Sequence, residues 1–165
     1  MYTSIQMIDK KSLLQQLISL IQADIEKQKK SFARAKRESA DAPGRMQSRY
    51  DTMGIESAWV ADGLAKALNE KELSLRRLQT FMFSNSTPDV RLGSIVVVSS
   101  LDSSALEYYF ILPTASGYKL QDQGSTIVTL TPITPLGKLL IGRRVNDDFD
   151  VQFPKPRTLV IEEIL

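Results

Sequence analysis

The sequence predicts an α+β protein in two parts: a long antiparallel helical hairpin, a coiled coil, over residues 1–84 and a small strand-rich domain over 85–165. Three observations carry this reading. From Lys10 to about Arg37 there is no proline or glycine, and apolar residues recur at alternating steps of three and four. After a single Pro43-Gly44 break, near-heptad steps resume from Gln47 or Tyr50 to about Met82. Beyond Phe83 the period falls to two, and β-branched residues gather in short blocks between turn formers.

In the first helix the stripe Leu14, Leu17, Ile21, Ile25, Gln28, Phe32 and Ala35 faces one way, with Leu13 and Leu20 widening its base. Either Asp9 or Ser12 can cap its start. From Glu26 to Arg37 the remaining positions are largely charged, which describes a helix buried near its base and solvated towards its far end. The tip, near residues 38–46, holds Glu38 to Arg45, where Pro43-Gly44 reverses the chain. In the second helix Met53, Ser57, Val60, Leu64, Ala67, Lys71, Leu75, Leu78 and Met82 follow a near-heptad seam, thickened by Leu68 and flanked by Trp59. Gly54 and Gly63 each cost about 1 kcal/mol inside a helix, so packing has to compensate. The same pattern would serve an intermolecular coiled-coil dimer; the Pro-Gly break favours folding back within one chain, and a monomer is expected.

Ser84 to Asp89 reads as a polar linker. Strands are expected at 93–99, at 106–113 as its hairpin partner across Asp102-Ser103-Ser104, at 126–130, and in a second hairpin of 149–153 with 158–164. One short helix, Pro135 to Ile141, interrupts these five strands, and glycine stops it before a basic turn.

Composition narrows the chemistry. The chain of 165 residues has neither cysteine nor histidine, which removes disulfides, thiolate chemistry and every His-dependent catalytic arrangement. No apolar run approaches the roughly 20 residues that span a bilayer, and the first residues lack the pattern of a signal peptide, so a cytoplasmic protein without membrane contact is expected. Residues 1–84 hold 14 Lys and Arg against 10 Asp and Glu, and residues 85–165 hold 7 against 9. That excess is too small for a dedicated duplex-binding arm; it suits an acidic partner surface or a solvated helix face.

The stretch Thr134-Pro135-Leu136-Gly137-Lys138-Leu139-Leu140-Ile141-Gly142-Arg143-Arg144-Val145-Asn146-Asp147 resembles the C-terminal signature of Gre-type transcription elongation factors, roughly S-P-L-G/A-x-A-L-L-G-K-x-V-G-D. Pro135, Leu136, Leu139, Leu140, Gly142, Arg143 and Val145 match it, and Arg49 to Ala58 also looks like a stretch found in Gre-like proteins. The order of hairpin, then strand-rich domain, is similar to that family over nearly the whole chain. The resemblance implies an FKBP-like second domain that docks on RNA polymerase through the neighbourhood of Pro135, Leu136, Arg143 and Arg144. It also implies a hairpin that enters the secondary channel, where tip acids help hold magnesium for cleavage of a backtracked transcript. The chain would then have no cofactor of its own and no enzymatic activity of its own, and would meet the nascent RNA indirectly.

At the tip the sequence departs from the family's acidic motif, close to G-D-L-x-E-N-A-E-Y. Asp41 stands for the first acid and Tyr50 for the closing tyrosine, but Gly44 occupies the place of the second acid and the loop is longer by about three residues. Glu38 is the nearest other carboxylate, three residues before Asp41. The resemblance therefore assigns Asp41, with Glu38, to cleavage and Asp41 to the polymerase-bound magnesium. Each position has a plainer reading: Asp41 as a turn residue beside Pro-Gly, Asp51 as a helix-dipole acid, Arg143-Arg144 as a solvated turn, Leu139-Leu140 as core. At the level of function the alternatives are a non-cleaving regulator of initiation or pausing in the secondary channel, a peptidyl-prolyl isomerase-like domain, and a coiled-coil scaffold.

Overall fold

A computed structural model describes residues 8–40, 52–83, 87–101, 103–152 and 154–165, with backbone alone at 38–40, 52–58 and 104. The tip between the two long helices, Asp41 included, lies outside the described residues, and Glu38 is described only as backbone at the end of the first helix. The protein is α+β: two long helices, α1 (Lys10–Ala40) and α2 (Thr52–Gln79), precede a six-stranded mixed sheet with one short helix. It divides into two compact units, one of residues 18–76 and one of residues 1–17 with 77–165.

In the first unit the two helices lie side by side within one chain, tied by Lys71 Nζ to Asp24 Oδ2 and Lys29 Nζ to Glu72 Oε1, each at 3.2 Å. Along α1, Ile21 and Ile25 are buried while Gln28, Phe32 and Ala35 are half-buried, as the thinning stripe requires. The α2 seam differs from the expected one. Leu64, Ala67, Leu68, Lys71 and Leu75 are half-buried and Leu78, in the other unit, is fully buried, as expected, but Ala61 is half-buried where Val60 was expected. Val60 is 57% exposed and Trp59 75% exposed, so neither belongs to the seam or covers its flank. Small Ala61 takes the inward position instead, and Lys71 lays its stem inward while its ammonium reaches Asp24. Helix α2 ends at Gln79, so Met82 falls beyond it and is exposed.

In the second unit the strands are β1 (Ile95–Ser100), β2 (Ser103–Ile111), β3 (Lys119–Asp122), β4 (Ser125–Leu130), β5 (Asp148–Val151) and β6 (Arg157–Ile164), in sheet order β3-β4-β2-β1-β6-β5. Five were expected; β3 is the sixth, missed because Leu120 is its single apolar residue. All pairings are antiparallel except β2 with β4. The capping choice at α1 falls to Asp9, whose Oδ1 accepts from Lys11 N–H at 2.9 Å.

Strand β1 is buried on both faces. Val96 and Val98 join Tyr109, Ile111, Leu130, Phe149, Val151, Leu159 and Ile161 in a core with Leu140 of the short helix α3 (Pro135–Leu140). Ile95, Val97, Phe110, Leu120 and Ile127 are buried on the opposite side, where Phe83 stacks on Phe110 at 6.2 Å between centroids. At the edge of the α3 face, Glu107 of β2 meets Arg157 of β6 across β1. Arg157 Nη2 donates to Glu107 Oε2 at 2.9 Å, Arg157 Nη1 to the other carboxylate oxygen, and Tyr109 O–H to Oε2.

Burial alone would raise the Glu107 pKa; the hydrogen bonds from Arg157 and Tyr109, with the Arg157 charge, outweigh it and hold the carboxyl below its usual value. Burial first, and then the Glu107 hydrogen bond, push the Tyr109 phenol up. A lowered carboxylate pKa contributes stability above the ordinary carboxylate range, and this is lost as pH falls through the folded value. Glu107→Gln should therefore cost about 1 kcal/mol at pH 7, kept small by solvent screening. The gap to the wild type should close as urea melts are repeated at falling pH through and below the ordinary carboxylate range; a gap that stays constant would contradict the pairing.

The tightest backbone approach lies at Gly137. A Cβ there would sit 2.0 Å from the backbone oxygen of Thr131, whereas one on Gly63 of α2 would meet open space. Gly137→Ala should lower stability by about 2 kcal/mol or more, while Gly63→Ala should raise it by about 0.5–1 kcal/mol. Chemical denaturation of the two variants checks both signs.

Candidate functional site

Helix α3 and its flanking turns form the candidate site, and each residue of this stretch has a local task. Thr134 caps the helix: its backbone is extended, and its Oγ1 accepts from Gly137 N–H at 3.1 Å. The same hydroxyl donates to Thr131 O at 2.7 Å, which anchors the cap to the preceding turn. Pro135 takes the first helical position, where its missing N–H leaves no bond unmade. Gly142, with φ of 80°, turns the chain out of the helix in the left-handed region that suits glycine. Its N–H donates to Val90 O at 2.9 Å, and Val90 N–H donates to Arg143 O at 2.8 Å, so the turn is stitched to the segment entering the sheet.

The two arginines separate in role. Arg143 is half-buried: its Nε donates to Leu139 O at the end of α3, its Nη1 donates to Asp148 O at 2.9 Å, and its guanidinium lies 4.8 Å from the Phe149 ring centroid. It is a clamp between α3 and β5 before it is anything else, and a freely solvated turn does not describe it. Arg144 is exposed, and its backbone N–H is held by Asp147 Oδ2 at 2.7 Å.

Between α3 and the ends of β4, β5 and β6 runs an apolar groove of about 590 Å³. Pro135, Leu136 and Leu139 form its helical wall, Leu130, Val151 and Leu159 its sheet wall, and Asp150 and Arg157 its polar margin. The structure thus brings Pro135 and Leu136 to one surface, sets Arg144 on the exposed turn, and commits Arg143 inward. The sequence reading passed over Leu130, Thr134, Asp150, Arg157 and Leu159 as site residues. Thr134 was legible as a cap before proline, and Arg157 shares the period of Leu159 and Ile161 on the core face of β6; the groove itself needed the tertiary fold.

Among the described residues no group of three or more Asp or Glu gathers where it could hold a metal ion, and no helix is long and apolar enough to cross a membrane. The side chains of the tip acids Asp41 and Glu38 lie outside what is described.

No family model matches the chain, and no curated protein matches it. Solved structures similar to it include the transcription factor Gfh1, at 17% identity over 89% of this chain and 92% of that chain with a TM-score of 0.41. Another is the GreA factor homolog 1 (Gfh1) protein of Thermus thermophilus, at 17% identity over 90% and 94% with a TM-score of 0.39. A third is the prokaryotic transcription elongation factor GreA/GreB from Nitrosomonas europaea, at 17% identity over 59% and 78% with a TM-score of 0.36.

Proposed function

We propose that this chain is a Gre-type transcription factor of the cytoplasm. Its strand-rich domain, FKBP-like in this reading, docks on RNA polymerase, and its helical hairpin occupies the secondary channel. What supports this is the Thr134–Asp147 stretch. Its match to the Gre signature coincides with one element in which Pro135 and Leu136 wall an apolar groove and Arg144 is exposed on the turn that follows α3. An apolar anchor with a peripheral cation is the chemistry of a protein-docking patch rather than of an active site. The chain would act as a factor without catalysis of its own, monomeric, and would touch the nascent transcript only through the polymerase.

Within this reading the non-cleaving regulator is the form the tip favours. Asp41 is one acid where cleavage-active members carry two, and Gly44 fills the second place. One or two carboxylates can share a magnesium whose other ligands come from elsewhere, so Asp41 with Glu38 is the set through which any cleavage would be stimulated.

Core RNA polymerase should be retained on the immobilised full chain at low salt, and Arg144→Glu should weaken that retention about tenfold without altering the melting curve. Absence of retention by the wild type at low salt would end this reading. On stalled, backtracked complexes, stimulation of transcript cleavage that disappears in Asp41→Ala would make the chain a rescue factor. Polymerase binding without cleavage would make it a channel-occupying regulator, and cleavage that survives Asp41→Ala would return Asp41 to the turn.

A further inference from the structure

The strand order leaves β5 at one edge of the sheet, and the apolar groove runs beside it. Ile161 N–H donates to Asp147 O at 3.0 Å, and the register sets Phe149 against Leu159 and Val151 against Arg157. By the two-residue alternation of an antiparallel pair, the backbone groups of Phe149 and Val151 face β6, and those of Asp148 and Asp150 face outward. The outward oxygen of Asp148 is already taken, by Arg143 Nη1 at 2.9 Å. Among the described residues nothing pairs with the outward N–H and C=O of Asp150.

The side chains of β5 alternate as well. Phe149 and Val151 turn to the α3 face, where Val151 belongs to the sheet wall of the groove. Asp148 and Asp150 turn to the other face and are exposed, and Asp150 Oδ1 accepts from Thr158 Oγ1 at 2.7 Å. Of the two charged residues at the margin of the groove, Arg157 is neutralised by Glu107, whereas the partner of Asp150 is a neutral hydroxyl. One edge position therefore combines an unpaired donor and acceptor, a carboxylate on one face and an apolar groove beside the other.

We propose that β5 accepts an extended segment of a partner protein as a further antiparallel strand, in which an apolar residue is followed by a lysine or arginine. The basic residue stands opposite Asp150, exchanges both backbone bonds with it and lays its cation beside the carboxylate. The residue before it stands opposite Val151, which directs its side chain to the α3 face and into the groove. Arg143, on the oxygen of Asp148, ends the ladder on that side. An acidic segment would set like charges directly opposite each other, and a helix would leave the outward groups of Asp150 unpaired. The inference rests on the reading of the groove as a protein-docking patch, and not on which protein docks there.

The probe is the capped peptide Ser-Thr-Thr-Leu-Lys-Thr-Ser, titrated into the isotope-labelled full chain and followed by amide shifts. The Asp150 amide should shift saturably, with a midpoint on the order of 1 mM. Replacing the peptide's lysine by glutamate should weaken binding about fivefold, and replacing its leucine by serine about tenfold. N-methylation of the lysine removes the donor to Asp150 O and should abolish binding. N-methylation of the leucine, whose N–H points away from β5, should leave it unchanged. In Asp150→Asn, which keeps an oxygen for Thr158, the preference for lysine over glutamate should vanish. The inference is overturned by no saturable shift up to about 5 mM peptide, by equal losses from the two N-methyl peptides, or by a lysine preference that survives Asp150→Asn. Core polymerase retained by a chain that binds none of the peptides would overturn this inference alone. Peptide binding without polymerase retention would overturn the polymerase reading alone.

Discussion

Strand β1 constrains the strand-rich unit more than any other element, because its apolar run has no solvent face. Ile95 to Val98 are all buried, with alternate side chains feeding two different cores. A strand that lies between β2 and β6 and is covered on both sides needs a lid on each. On one side α3 supplies it through Leu136, Leu139 and Leu140; on the other, Phe83 stacks over Phe110. The four consecutive β-branched residues are the sequence form of that requirement, since alternation in hydrophobicity is lost when both faces are dry. Register follows as well: a one-residue slip of β1 would exchange the side chains it feeds to the two cores.

The α3 lid is where structure and proposed function meet. A helix of six residues has little stability of its own, so it is fixed at both ends by side chains and by closeness to the backbone beneath it. Thr134 closes the start, Gly137 permits contact with the Thr131 carbonyl, and Arg143 holds the last turn to β5. Fixing the helix this way leaves Pro135 exposed at the groove and Leu136 half-buried between the groove and the core. Most of the signature is therefore explained by the need to hold a short helix, and the part left over for recognition is small: the groove wall and Arg144.

Several elements were plain in the sequence because a strong local pattern agreed with the tertiary outcome. The thinning stripe of α1, the β1–β2 hairpin, the β5–β6 hairpin and the core position of Leu140 fall in this group. Other features were ambiguous because two local readings were nearly equal. The inward phase of α2 could run through Val60 or Ala61, and residue size favoured the wrong one. Packing between helices selects the position that allows close approach, not the most apolar residue, so Val60 and Trp59 stay in solvent.

By itself the sequence determined the fold class, the order of nearly all elements, the absence of thiol and imidazole chemistry, and the glycine that stops α3, because each depends on composition, periodicity or one residue's backbone preference. Only the tertiary structure decided the rest. It made a strand of Lys119–Asp122, which has one apolar residue and exists by pairing with β4, and it set β2 parallel to β4. It turned Arg143 from a surface cation into an internal clamp and brought Gln16 to the backbone of Gln121, 105 residues away. Pairings of that kind depend on which groups meet across long loops, and no local pattern along the chain encodes them.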